Sequence, residues 1–377
     1  MGAAPHVAAK GLEHIVMGES TIAYVGGETG ELHYRGFPIA DLARSASFEG
    51  VVHLLLRGRP PAPDELDRLT ADLAARRSVP DGVVRVLDAL PPGLDPLEAM
   101  RTGMSALGDG SFPAPPTLEQ GLDLIARTPT LLARHVRRSR HEAVVPPRPD
   151  LGHAANYLWM LTGEEPDAAR ARALEQYLIL LADHGMNAST FALRVVLSTG
   201  SDLVSAATAA LGALKGPVHG GAPALVAAML DAIGRPAAAP AWIGNALARR
   251  DRLYGFGHRA YKTEDPRAIV LHSIARSAAS ADRLALAEAV EREALAALYR
   301  ERPGRRLFTN VEYYGAVVLE SVGLPPALFT PTFAVARTAG WAAHALEQVA
   351  DNRLIRPDVS YVGPAAGRSW PAEVARA

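Results

Sequence analysis

KGPVHGGAP, residues Lys215 to Pro223, is the stretch on which the fold turns. Upstream of it, DLVSAATAALGALKG places Leu203, Ala206, Ala207, Ala210, Leu211 and Leu214 at spacings of three and four, which predicts a helix. Ser201 or Asp202 can cap its start, and Gly216 suits a left-handed residue at its end. Downstream, Pro223 fits the first turn of a second apolar helix, ALVAAMLDAIG. His219 therefore falls on a short bend between two buried helices, followed by two glycines that let a ligand approach the backbone. A helix hairpin carrying an incidental histidine fits the same stretch.

The 377 residues exceed what one core usually serves, so two domains are expected. Hydrophobic residues at 49% and charged ones at 21% give a globular rather than a disordered balance. Lys plus Arg number 39 against 40 for Asp plus Glu, so no net charge points to nucleic acid or an anionic membrane. The charge-free run from Gly216 to Leu230, 15 residues long, is too short to span a bilayer. MGAAPHVAAKGLEHI at the N-terminus lacks the continuous apolar run of a secretory signal. The absence of cysteine excludes disulfides, thiolate nucleophiles and cysteine-based zinc sites. The expectation is a cytoplasmic protein.

Residues 19–37, ESTIAYVGGETGELHYRGF, alternate around Gly-Gly and Thr-Gly turns and predict a small β-hairpin, the one convincing strand signal. From Asp41 onward the helical period takes over, with Pro61 to Asp64 opening PDELDRLTADLAARR. SFPAPP (111–116) and VVPPRPD (144–150) are short connectors rather than flexible linkers.

Four later blocks carry possible chemistry. In ALEQYLILLADHGMNASTFALRVVLSTG, Gly185 can end one helix and Asn187 or Ser189 can cap the next. His184 then stands at a helix C-terminus, where a protonated ring is favoured. RLYGFGHRAYKTEDPRA (252–268) places His258 in a loop broken by Gly255 and Gly257, and Asp265-Pro266-Arg267 opens the following helix. Its Gly-x-Gly lacks the strand and third glycine of a dinucleotide site. In FTNVEYYGAVVLE, Asn310 can cap a helix with Glu312 in its first turn. FTPTFAVARTAGWAAHALEQ (329–348) is a mostly apolar helix interrupted by Arg337, whose guanidinium needs an anion, a carboxylate or a carbonyl as partner.

Each block is ambiguous alone. In this order, LADHGMNASTF, LKGPVHGGAP, YGFGHRAYKTEDPRA, NVEYYG, LFTPTFAVARTAGWAAHALEQ and DNRLIRPDVSYVG resemble the citrate synthase family from about Glu19 to Gly363. The resemblance implies an all-α homodimer with a large domain from residues 1–217 and 324–377 and an inserted small domain, 218–323. It implies condensation of acetyl-CoA with oxaloacetate followed by thioester hydrolysis, with CoA as a co-substrate and neither a metal nor a tightly bound cofactor. By motif position Glu312 is the base, His219 the donor to the thioester oxygen and His258 the donor to the oxaloacetate ketone. His184, Asn187, Arg267, Arg337 and, from the partner chain, Arg356 fall where the family holds oxaloacetate. A small dianion calls for such guanidinium forks. For CoA the resemblance points to Leu253, Tyr254, Gly255, Phe256 and Gly257, with Lys262, Arg305 and Arg306 near phosphates.

The chain departs from the family pattern in four places. Glu312 replaces the usual Asp, which extends the carboxylate by about 1.5 Å in a geometry where about 1 Å matters. Pro223, Leu181 and Ala260 stand where Asn, His and a β-branched residue are more usual. Propionyl-CoA, giving 2-methylcitrate, is an alternative that shares every quoted residue. Two further alternatives are a hydrolase with His184, His219 and His258 as metal ligands, and a helical scaffold without turnover.

Overall fold

The computed structural model describes residues 10–12, 15–108, 110, 114–301, 303–304 and 307–364. A three-stranded antiparallel sheet, β1 (Ala23–Gly26), β2 (Glu31–Tyr34) and β3 (Phe37–Pro38), lies near its start. The expected hairpin is there, with Ala23 opposite Tyr34 and Gly26 opposite Glu31. A two-residue third strand adds to it, pairing His33 with Pro38.

Sixteen α-helices make up most of the remaining described residues. The first seven are α1 (Ile39–Ser45), α2 (Phe48–Arg57), α3 (Pro63–Ala75), α4 (Asp81–Ala89), α5 (Pro96–Ser105), α6 (Leu118–Ser139) and α7 (His153–Thr162). Then come α8 (Ala168–Leu181), α9 (Ala188–Ser198), α10 (Leu203–Leu214), α11 (Ala222–Ile233) and α12 (Ala239–Ala248). The last four are α13 (Pro266–Ala278), α14 (Ala281–Glu301), α15 (Val311–Ser321) and α16 (Phe329–Ala350). Among the described residues, no single helix is long and apolar enough to cross a membrane.

Local chemistry explains the helix starts nearest the site. Asn187, Asp202, Asp265 and Asn310 each accept backbone N–H groups of the helix they precede, at α9, α10, α13 and α15. Such caps are worth about 1 kcal/mol each. Pro223 sits in the first turn of α11 as expected. The end of α10 differs from expectation. Lys215 closes it in right-handed conformation, and Gly216 is absent from the left-handed residues. The turn is instead closed by Gly220 N–H donating to Leu214 O and His219 N–H to Gly216 O.

α16 is the central helix. Phe329, Val335 and Trp341 are fully buried along it, and it packs against α6, α8, α9 and α2. The apolar character that reads as core in the sequence is core, and Arg337 lies inside it at 1% exposure.

Candidate active site

The loop between α8 and α9 is laid along one stripe of α16 by three consecutive hydrogen bonds. Leu181 O accepts from Arg337 Nε (2.8 Å), Ala182 O from Gly340 N (3.1 Å), and Asp183 Oδ1 from His344 Nε2 (3.1 Å). Gly340 makes this approach possible: a Cβ there would collide with Ala182 O and Asp183 Oδ1. The next residue in the loop is His184.

Arg337 uses only Nε in this way. Its two terminal nitrogens are buried without a partner, and the guanidinium lies over the Phe333 ring at 4.7 Å. Burial pushes its pKa down to about 10, with Asp183 opposing the shift. An unpaired buried donor pair is costly, so this geometry is suited to a ligand that brings two acceptors.

Arg267 is also buried, but it is forked onto Asp265 through Nε (3.0 Å) and Nη2 (2.8 Å). Asp265 Oδ2 additionally accepts Val311 N–H (3.1 Å), tying this pair to the helix that carries Glu312. Arg267 Nη2 approaches His258 Nε2 at 3.4 Å.

Three histidines converge around these arginines. The His184 and His258 ring centroids are 5.3 Å apart, and the Tyr261 ring lies 5.5 Å and 4.9 Å from them. His184 Nε2 pairs with the Tyr261 hydroxyl at 3.1 Å. His258 Nδ1 accepts the backbone N–H of Ala260 (3.0 Å) and Tyr261 (3.2 Å). Nδ1 thus faces two N–H donors at 3.0 and 3.2 Å, against one longer approach of Arg267 to Nε2 at 3.4 Å; the shorter pair puts the proton of a neutral His258 on Nε2 and leaves the Arg267 approach a contact rather than a hydrogen bond. His219 Nε2 faces Ser189 N–H at 3.3 Å and Ser189 Oγ at 3.0 Å, and its ring meets Phe333 edge-on at 6.2 Å. With the Ser189 N–H aimed at Nε2 and the Ser189 hydroxyl able to donate to the same nitrogen, a neutral His219 carries its proton on Nδ1. Asn187 is occupied within the chain: its oxygen caps α9 and its amide donates to Gly185 O and Thr190 Oγ1.

The electrostatics favour neutral rings. Burial first, then Arg337, pushes His219 down to about 4. Burial and Arg267 do the same to His258, also to about 4. For His184 the sequence expectation of a protonated ring is corrected. α8 ends at Leu181, and burial together with the Arg267 charge lowers the His184 pKa well below its ordinary value. A helix terminus offers about 0.3 to 1 kcal/mol when exposed, less than the desolvation it would have to offset.

Glu312 occupies the first turn of α15, its N–H held by Asn310 Oδ1 at 3.0 Å. Burial pushes its carboxyl up to about 7, against the opposing charges of Arg267 and Arg252.

The other expected positions are less assembled. Arg356 lies on an extended segment with its side chain 77% exposed, 3.9 Å from Asp358 and away from the cluster. Leu253 and Phe256 are buried, Phe256 against Tyr313 at 5.1 Å, so their side chains serve the core. Gly255 and Gly257 take left-handed backbone (φ 86° and 81°), with Gly255 O accepting Asn310 N–H and Gly257 N–H donating to Phe308 O. Tyr254 is half-buried beneath Arg252, whose guanidinium lies 5.8 Å from the ring centre, and Lys262 is exposed. Arg305 and Arg306 lie outside the described residues.

Sequence reasoning missed Ser189, Tyr261 and the pairing of Asp265 with Arg267. Their sequence signals were faint: Ser189 sits two residues past a cap, and Tyr261 three past His258. Among the described residues no group of three or more His, Cys, Asp or Glu is arranged to hold a metal ion. A cleft of about 450 Å³ lined by His53, Arg57, Arg59 and Glu65 holds none of the residues singled out from the sequence.

Fold and site together define a mostly helical acyltransferase of the citrate synthase type. The family model described as "Citrate synthase, C-terminal domain" matches residues 11–358, so the chain belongs to the citrate synthase family. It is 42% identical over 368 residues to a citrate synthase of Haloferax volcanii, covering 94% of this chain and 95% of that one. It is 38% identical over 362 residues to a 2-methylcitrate synthase of Mycobacterium tuberculosis, covering 94% and 90%. A solved structure of the Thermoplasma acidophilum citrate synthase, in ternary complex with carboxymethyl coenzyme A and oxaloacetate, superposes with a TM-score of 0.90. That match has 30% identity and covers 97% of this chain and 99% of that one. The function is therefore that of a citrate synthase or a 2-methylcitrate synthase.

Proposed function

We propose that this chain condenses acetyl-CoA with oxaloacetate and hydrolyses the resulting thioester to citrate and CoA. The observation that carries the reading is the buried Arg337 guanidinium, with two nitrogens that have no partner and a charge close enough to be felt by His184, His219 and Arg267. A small dicarboxylate supplies what that geometry lacks.

In this scheme Arg337 and Arg267 hold the carboxylates of oxaloacetate, and His184 fixes its orientation. Glu312 takes a proton from the thioester methyl group, while His219 donates from Nδ1 to the thioester oxygen. The methyl carbon then bonds to the ketone carbon, and the ketone oxygen receives its proton from His258 Nε2. Water cleaves the thioester, releasing CoA as the thiol. A positioned base contributes about 10² to 10⁴ in rate. The glutamate in place of aspartate carries its carboxylate one methylene further, and its raised pKa places ionisation near neutral pH, where a base is most effective.

A homodimer belongs to the same reading. Leu354, Val359, Tyr361 and Val362 stand 56%, 89%, 73% and 94% exposed on the segment that bears Arg356, which suits packing against a second chain. In that assembly Arg356 completes the neighbouring site. The domain division at 218–323, the CoA contacts through Tyr254, the 255–257 backbone and Lys262, and a cytoplasmic setting complete the proposal.

The resemblance to a 2-methylcitrate synthase supports propionyl-CoA as a second substrate. One methylene discriminates by only about 1 to 3 kcal/mol, so both thioesters are tested together. The experiment is thiol release with oxaloacetate and either thioester. A higher kcat/KM with acetyl-CoA supports the first reading, a higher value with propionyl-CoA the second, and no release with either overturns both.

A further inference from the structure

Behind the residues assigned to substrate lies a set of buried charges that the scheme above does not use. Asp183 and His344 are both fully buried and joined at 3.1 Å. The second oxygen of Asp183 accepts Gly185 N–H at 2.8 Å. Tyr34 fixes the Asp183 backbone, its hydroxyl donating to Asp183 O (2.8 Å) and accepting Asp183 N–H (3.0 Å). On its far side, His344 Nδ1 faces Arg194 Nη2 (2.7 Å) and Nε (3.2 Å). A guanidinium only donates, so Nδ1 accepts and the His344 proton sits on Nε2, directed at Asp183. Arg194 is anchored in turn by Glu347 and, at 3.3 Å, by Gln348 Oε1.

This arrangement lies directly against the dicarboxylate pocket. Asp183 is the residue before His184, and its carboxylate is the third contact of the ladder whose first rung is Arg337 Nε on Leu181 O. We propose that Asp183, held by His344 and Arg194, is the positioning residue of the dicarboxylate pocket. It clamps residues 181–184 to α16 so that the His184 ring and the free nitrogens of Arg337 face one substrate. It also supplies the standing negative charge beside Arg337 when no substrate is bound. Asp183 does not touch the reacting atoms in this account, and its role rests on the oxaloacetate reading above.

The test uses the full chain and three variants, Asp183→Asn, His344→Ala and His344→Gln. Glutamine can keep both an amide donor toward Asp183 and an oxygen for Arg194, whereas alanine keeps neither. Thermal unfolding first fixes a temperature at which each variant is folded. Oxaloacetate affinity, kcat at saturating oxaloacetate and KM for the thioester are then measured. A purely structural role lowers the melting temperature and leaves the kinetic constants of the folded protein alone. The expected result is an oxaloacetate affinity weakened by about 10²-fold in Asp183→Asn and His344→Ala. The thioester KM stays at the parent value, and most of the affinity returns in His344→Gln. Parental affinity in folded Asp183→Asn or His344→Ala overturns the proposal, as does a His344→Gln variant no better than His344→Ala. If Asp183→Asn does not fold, the two His344 variants decide. A parent chain that binds no oxaloacetate overturns the substrate reading and this inference with it; a parent that binds alongside unaffected variants overturns this inference alone.

Discussion

The two halves of the site are built differently. On the side of the α8–α9 loop, α13 and α16, the polar groups are buried and almost all are paired. Asp183 pairs with His344 and Asp265 with Arg267, and among the described residues of this side the terminal nitrogens of Arg337 are the ones buried without a partner. On the side of residues 215–221 and 250–264 the chain is a set of turns, with Val218 at 87% exposure and Lys262 exposed. A rigid, charge-balanced pocket with one unmet demand suits a small, doubly charged molecule, and open turns suit a long flexible one. Glu312, half-buried on α15, belongs to the boundary between them. Affinity for the acid and rate of the chemistry should therefore be separable by mutation.

The largest separation is expected from Glu312→Ala. It should lower thiol release by about 10² to 10⁴ while oxaloacetate binding, followed by calorimetry, stays near the parent value. Loss of binding in that variant would mean that the two sides are not separable. His219→Ala is expected to lower kcat by about 10² to 10³ in a chain that still unfolds cooperatively, because a preorganised donor to an oxyanion carries that much. Arg337→Lys keeps the charge but loses the fork. It should raise the KM for oxaloacetate about 10- to 100-fold, the worth of one charge-assisted hydrogen bond, with little change in thioester KM.

A last effect concerns stability rather than turnover and sharpens the boundary role of Glu312. Its carboxyl is raised to about 7 in the folded chain against an ordinary 4.5. Between those values the folded state binds more protons than the unfolded one, so the stability contributed by this group falls as pH rises and stays low above 7. Glu312→Gln should therefore be more stable than the parent at pH 8, by up to about 3 kcal/mol, with the gap closing toward pH 5. Chemical denaturation at the two pH values measures this, and a gap that is constant with pH would remove the strained carboxyl from the account.

The sequence exposed what depends on neighbours along the chain. Helix periods, the caps at Asn187, Asp202, Asp265 and Asn310, and the misfit of Arg337 in an apolar helix are local signals, and each has its counterpart in the fold. The helix-terminus rule favours a charged ring at His184, but this residue lies three positions past the end of α8 and is buried, so desolvation outweighs the local effect. Asp183 with His344, and His219 with Ser189, are joined across 161 and 30 residues, and nothing in the spacing announces them. Arg356 and Lys262 stay outside the assembled cluster, on surfaces open to a second chain or to a long co-substrate.

On the function proposed above, Arg337, buried and half-paired, receives a small dicarboxylate. Calorimetric titration with oxaloacetate alone, without any thioester, tests it most directly. Saturable binding of one molecule per chain is expected, weakened in Arg337→Lys and left in place in Glu312→Ala. Absence of binding to the parent chain, or binding that Arg337→Lys does not change, would contradict it.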